Sequence, residues 1–225
     1  MKSNISNKIL INIVILVSLF LGISYFTRIH YILKINDNVI VFIQSLYKWL
    51  ILLIAFFLSK YFSKDNYFSL KEKNYNLFFY IKNIFLFLII LIILNALLGK
   101  ISLLILPDHT SEKLSLLINT FKKSKFLLLF TAITAGIVEE IIFRGYILGK
   151  LLSITKSKSM SILISTFSFS IIHISYGNIL SIITTFIFGL MASFYYLKFS
   201  NIKIIILVHI LWDIIAFSIA LNIKN

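Results

Sequence analysis

Residues 84–94 read IFLFLIILIIL, eleven apolar side chains in succession. On a helix they point in every direction around the axis, and on a strand they load both faces. The run therefore fits neither a one-sided amphipathic helix nor the alternating strand of a membrane barrel. It suits a helix whose surroundings are themselves apolar. Extended outward to residues 77–98, it reaches the length of about 20 residues needed to cross a bilayer.

The remainder of the chain repeats this pattern. Sixty per cent of the 225 residues are apolar, 13% are charged, and the mean hydropathy is +0.99, a balance that excludes a water-soluble domain with a polar exterior. Glycine (7) and proline (1) are too scarce to punctuate a loop-rich β fold. Apolar runs at 9–26, 40–62, 77–98, 126–148, 159–175, 179–197 and 204–223 predict about seven transmembrane helices in an all-α polytopic membrane protein. Two regions are expected: an N-terminal three-helix membrane region over 1–125 and a membrane core over 126–225. The connection 99–125 holds an apolar stretch, the single proline Pro107 and the amphipathic run 111–117, which predicts an interfacial helix near 101–120.

The formal charge of +14 comes from lysines that fall mostly between the apolar runs, where lipid headgroups rather than nucleic acid would meet them. Alternating the connections across the membrane places ten Lys/Arg on the side of the N-terminus and eight opposite, which predicts a cytoplasmic N-terminus. Heavy use of Ile, Lys, Asn and Phe suits an AT-rich genome, hence a bacterial cytoplasmic membrane. Without cysteine, the chain has no disulfide, thiolate nucleophile or Cys-type metal site.

Against this apolar background, Glu139, Glu140, Arg144, His173, His209 and Asp213 all fall inside predicted spans. Each ionisable group at the bilayer centre costs about 2.5 to 3.5 kcal/mol on insertion scales, so six of them in one half of the chain point to function. Glu140 and Arg144 stand four apart on one helix face, with the acid on the favoured N-terminal side, and read as a structural ion pair. Glu139 is turned about 100° away and has no basic residue three or four positions distant, so its carboxylate must look to another helix or to water. Phe169 and His173 repeat the four-residue spacing on the next span, and His209 and Asp213 repeat it on the last. Two lysines inside predicted spans, Lys48 and Lys82, read as long side chains snorkelling to the interface. Gly145 and Gly149 form a G-x-x-x-G step that serves either close helix packing or a helix cap.

Taken together, the three spaced pairs resemble the motifs of the CPBP family, the CAAX-type intramembrane proteases that include the Ras-converting prenyl-protein protease and bacterial relatives linked to bacteriocin self-immunity. The E-E-x-x-x-R motif is matched by Glu139, Glu140 and Arg144, the F-x-x-x-H motif by Phe169 and His173, and the H-x-x-x-N/D motif by His209 and Asp213. The prenyl-protein branch ends its third motif in asparagine, where this chain has Asp213.

The resemblance covers about 126–217 and implies a catalytic cluster buried among the C-terminal four helices. It implies Glu139 as base, His173 orienting and polarising a water, His209 with Asp213 on the oxyanion side, and Phe169 packing the motif. The implied activity is endopeptidase cleavage of a hydrophobic, lipidated or bacteriocin-like peptide in the membrane. No cofactor is expected; the alternative is Zn²⁺ held by His173, His209, Glu139 and Asp213, a donor set of the kind catalytic zinc uses, although the H-E-x-x-H spacing is absent. The competing functions are a non-proteolytic immunity or scaffold protein and a small proton-coupled transporter. The lack of an internal repeat and of obviously broken helices counts against the latter.

Overall fold

A computed structural model describes the backbone of residues 2–62, 72–105, 112–176 and 179–223. Side chains are described within those ranges except at 2–6, 24–31, 61–62, 101–105, 112 and 223. The described chain is helical throughout. In order the helices are α1 (Lys2–Leu33), α2 (Asp37–Phe62), α3 (Leu77–Ile105), α4 (Glu112–Lys123), α5 (Lys125–Glu140), α6 (Gly149–Thr155), α7 (Lys158–Ile171), α8 (Ile179–Phe199) and α9 (Ile202–Ile223). A π-helical segment, Ile141–Leu148, joins α5 to α6 without a break, and a 3₁₀ turn, Ile174–Tyr176, follows α7.

Six helices among the described residues are long and apolar enough to cross a membrane: Asp37–Lys60, Leu77–Lys100, Lys125–Thr155, Lys158–Tyr176, Ile179–Phe199 and Ile202–Asn222. The chain is thus an all-α, multi-pass membrane protein. The seventh expected span falls in α1, whose described apolar segment, Asn7–Ile23, is shorter. Of the segment expected to form an interfacial helix, residues 112–120 lie in α4 and 101–105 continue α3, while 106–111, with Pro107, lie outside the described residues. The helix through the first motif is also longer than its apolar run, because it passes Gly149 and ends only at Thr155, where Lys156 takes a left-handed φ of 55° as the cap. Gly149 therefore does not end it.

Burial ranks the helices. Inside the protein lies 61% of the most apolar window of Lys125–Thr155, against 11% for Leu77–Lys100, so α5 is the central helix and α3 turns mostly outward. Around that centre, α9 and α2 pack along α5, α1 packs on α2, α7 on α8, and α4 bridges α2, α5 and α9. Lipid tails are as apolar as leucine, so apolar burial alone gives helices little reason to prefer each other over lipid. Polar links between helices supply part of the specificity. Ser45 Oγ lies 3.2 Å from Thr131 Oγ1, and Trp49 Nε1 donates to Thr134 Oγ1 at 3.1 Å, tying α2 to α5. Ser165 on α7 donates to the carbonyl of Phe143 at 3.0 Å. That carbonyl belongs to the π-helical segment, where the ordinary ladder is interrupted.

A close approach around a glycine occurs at Gly136. A Cβ built on Gly136 would lie 2.5 Å from Ile210 Cγ1, 3.1 Å from the Ile210 nitrogen and 3.2 Å from the Ile206 carbonyl oxygen. The backbones of α5 and α9 thus touch one residue-turn before the glutamates. Overpacking a tight contact costs about 1–3 kcal/mol, with a backbone neighbour that cannot swing aside. Gly136→Leu should accordingly lower the thermal unfolding midpoint of the detergent-solubilised protein, while Leu substitution at lipid-facing Ile133 should leave it unchanged.

Candidate active site

The end of α5 carries the two glutamates in different directions, as their one-residue offset requires. Glu140 faces inward. It and Arg144 are completely buried, and Arg144 Nη1 donates to Glu140 Oε1 at 3.0 Å. The expected i, i+4 pair therefore forms, although Arg144 lies within the π-helical segment. The same Oε1 atom also receives His209 Nδ1 at 2.8 Å. Because a carboxylate oxygen only accepts, this bond places a proton on Nδ1 and turns Nε2 toward the cavity. The hydrogen bond that fixes His209 is thus made to Glu140, whereas Asp213 Oδ2 stands 3.8 Å from His209 Nε2. Helical spacing pairs His209 with Asp213, its neighbour on the same helix face; Glu140 arrives from another helix, which helical spacing does not reveal.

Aromatic rings close the ion pair in. The Arg144 guanidinium lies 4.3 Å from the ring centre of Phe169 and 5.6 Å from that of Phe188, distances at which a ring face attracts a cation. On α8, Gly189 leaves the space this needs: a Cβ there would come within 3.3 Å of Arg144 Nη2 and 2.9 Å of Thr166 Cγ2. Phe169 also contacts both imidazoles, at ring-centre distances of 4.9 Å to His173 and 6.0 Å to His209.

His173 sits just beyond the end of α7, in the turn that leads to Ile174–Tyr176. It is not within a regular helix as the four-residue spacing implied, yet the spacing still operates. Its Nδ1 bonds the Phe169 carbonyl at 2.9 Å, which makes Nδ1 the protonated nitrogen and again leaves Nε2 facing inward. This turn is held from outside by α4. Lys113 Nζ donates to Ser175 Oγ at 2.7 Å and lies 4.3 Å from the centre of the Tyr176 ring, which stacks on His173 at 5.8 Å. Burial, reinforced by the charge of Lys48 and opposed by that of Glu139, lowers the Lys113 amine to about 7.

Glu139 is the point on which these elements converge. Its side chain is 4% exposed, and its two oxygens have different surroundings. Oε1 accepts a hydrogen bond from Lys48 Nζ at 2.8 Å, whereas Oε2 has no hydrogen-bond partner among the described residues. Oε2 lies 3.8 Å from His173 Nε2 and 4.0 Å from His209 Nε2. The expectation that Glu139 must look outside its own helix is met by Lys48 of α2. The snorkelling assignment of Lys48 is therefore corrected: its amine turns inward to a carboxylate. Lys82, by contrast, is exposed.

These groups line a cavity of about 150 Å³, well above the roughly 10–15 Å³ that one water requires. Lys48, Glu139, His173, His209 and Asp213 all face it, with Thr184, Thr185 and Ser181 of α8 on a further polar wall. The structure thus brings together every residue singled out from the motifs and adds Lys48.

The donors are chemically suited to zinc, and both imidazoles already carry the Nδ1 partner that ligating histidines usually have. Two ligands on one tetrahedral zinc stand about 3.4 Å apart at bonds of about 2.1 Å, and two acceptors of one water stand about 4.4 Å apart at bonds of about 2.8 Å; the 3.8 and 4.0 Å found here lie between the two. Among the described residues, no group of three His, Asp or Glu side chains is arranged to hold a metal ion.

The comparisons with curated proteins and with solved structures gave no match. A family model did: residues 122–215 match the one described as Type II CAAX prenyl endopeptidase Rce1-like, a stretch that contains Glu139, Glu140, Arg144, Phe169, His173, His209 and Asp213 and leaves out Lys48.

Proposed function

We propose that this chain is an intramembrane endopeptidase that hydrolyses a peptide bond in a membrane-associated, lipidated or bacteriocin-like peptide, with Glu139 as the base that activates water. The observation that carries the reading is the position of Glu139 Oε2. It is a buried carboxylate oxygen without a hydrogen-bond partner among the described residues, facing two imidazole Nε2 atoms across a polar cavity. The match of residues 122–215 to a prenyl endopeptidase family model supports the same class of chemistry.

The reaction follows from the assigned protons. With Nδ1–H of His173 committed to the Phe169 carbonyl, neutral Nε2 accepts a hydrogen bond. A water placed between Glu139 Oε2 and His173 Nε2 donates one hydrogen to each, so a lone pair on its oxygen is free to attack the peptide carbonyl carbon. As the C–O bond forms, Oε2 takes the proton, and the carbonyl oxygen becomes an oxyanion. Given a second proton on Nε2, which faces the carboxylates of Asp213 and Glu139 at 3.8 and 4.0 Å, His209 donates from Nε2 to that oxyanion, while Glu140 holds its Nδ1–H. Glu139 then returns the proton to the nitrogen as the oxyanion reforms the carbonyl and the C–N bond breaks, giving a carboxylic acid and an amine. Asp213, with a side chain 22% exposed, is the most open of the four and lines the cavity beside His209. In this reading the chemistry is metal-free and the core over 126–225 performs it in a bacterial cytoplasmic membrane, with the N-terminus in the cytoplasm.

The test is cleavage by the detergent-purified chain of a library of hydrophobic and lipidated peptides. Glu139→Gln and His173→Ala should each lower the rate by about 10²–10⁴-fold while the protein keeps its elution profile and melting behaviour. A wild type that cleaves no member, in a strain whose immunity survives both substitutions, would establish the binding or scaffold function instead. A separate check concerns the metal. Cleavage should persist in 1,10-phenanthroline, and elemental analysis should find no stoichiometric zinc; loss of activity restored by added Zn²⁺ would assign the donors to a metal site.

A further inference from the structure

We infer that Lys48 is a positioning residue of this site, one that holds the Glu139 carboxylate in the orientation that aims Oε2 at the two histidines. The inference rests on the proteolytic reading above and adds a residue from outside the stretch that the family model matches.

Its basis is the division of labour between the two oxygens of Glu139. A carboxylate on a two-bond stem can rotate either oxygen toward the cavity. Here Lys48 Nζ takes Oε1 at 2.8 Å, and the other oxygen is left facing His173 and His209. No group on the glutamate's own helix performs this task. Arg144 is already bound to Glu140 and lies against the Phe169 ring. His209 Nδ1 is bound to Glu140 as well. The ammonium must therefore come from another helix.

The setting of Lys48 is consistent with a fixed rather than a wandering amine. Its side chain is 16% exposed, it faces the cavity, and it lies on the face of α2 that meets α5. On that face Ser45 pairs with Thr131 and Trp49 donates to Thr134, which brackets Lys48 between two interhelical links. A lysine serving only to reach the headgroups would extend along the helix toward its end. This one crosses to the neighbouring helix at mid-span. An ammonium at hydrogen-bond distance from a buried carboxylate also offsets the cost of burying that charge, so the pair has a stabilising part and an orienting part. The experiment must separate them.

The chain contains no cysteine, which allows the ammonium to be removed and restored at one position. In the detergent-purified full chain, assayed on the best-cleaved peptide of the library, Lys48→Met should lower kcat about 100-fold, the order expected when a reacting group is misplaced by about an ångström. KM should stay within about threefold, because a group acting on the base rather than on bound substrate affects kcat. Lys48→Cys alkylated with 2-bromoethylamine regains an ammonium at nearly the native length and should recover to within about tenfold of wild type. The same variant treated with iodoacetamide carries a neutral amide and should stay at the Lys48→Met level. A purely packing role would respond alike to the two adducts.

Equal recovery with both adducts, or a wild-type kcat in Lys48→Met, overturns the inference. If Lys48→Met does not fold, Lys48→Gln keeps a donor without the charge and should lose about tenfold in kcat; wild-type kcat in that variant is equally decisive against it. A wild type that cleaves nothing removes the proteolytic reading and this inference with it. A wild type that cleaves, beside Lys48 variants that cleave as well, removes only the positioning role.

Discussion

Two carboxylates next to each other on a buried helix need two separate counter-charges, and much of the arrangement follows from where those charges come from. An ion at this depth has lost most of its hydration, so each must be compensated by a nearby opposite charge or by donors at good geometry. Glu140 is compensated within its own helix by Arg144. That pairing leaves Glu139 without a local partner and requires a cation from α2. The Glu140 oxygen that Arg144 binds also accepts His209 Nδ1, which ties α9 to the end of α5. Gly136, one turn earlier, allows α9 close enough for that bond to form.

The same buried groups solve a second difficulty, which is to keep water where most of the surroundings repel it. The proposed hydrolysis requires water inside a bundle of membrane-spanning helices, and a cavity with only apolar walls stays dry. Here Lys48, Asp213, Thr184, Thr185 and Ser181 give polar surface to a pocket otherwise walled by Phe169, Phe188, Trp212 and Phe217. Both α8 and α9 contribute polar and apolar side chains to the cavity, and α2, α5 and α7 complete it, so its shape depends on their packing rather than on any single segment.

Much of this was legible in the sequence wherever interactions are local. The all-α membrane class followed from uninterrupted apolar runs, and the Glu140–Arg144 pair followed from i, i+4 spacing on a helix. The isolation of Glu139 followed from its one-residue offset, which said that a partner was needed without saying which. Lys48 stood 91 positions away, in a run whose character is set by its apolar neighbours, and nothing in helical periodicity connects such residues. Gly136 escapes notice for a similar reason, because a close approach depends on what lies opposite, whereas Gly145 and Gly149 show a familiar spacing. The π-helical segment is another local departure that composition does not announce. It widens the backbone between residues 141 and 148, and its position next to the glutamates fits the tendency of such segments to occur at functional sites.

Position 169 divides its duties between main chain and side chain. The carbonyl of Phe169 fixes the tautomer of His173, a service that any residue in the same backbone conformation would perform. The ring instead covers the Arg144 guanidinium, whose Nε and Nη2 have no hydrogen-bond partner among the described residues. The phenylalanine of one motif is therefore chemically answerable to the arginine of another, 25 positions earlier in the chain. A substitution that kept the helix but removed the aromatic face would keep the carbonyl bond to His173 while stripping the arginine of its cover and both imidazoles of a packing partner, so the supporting ion pair and the reacting groups would loosen together.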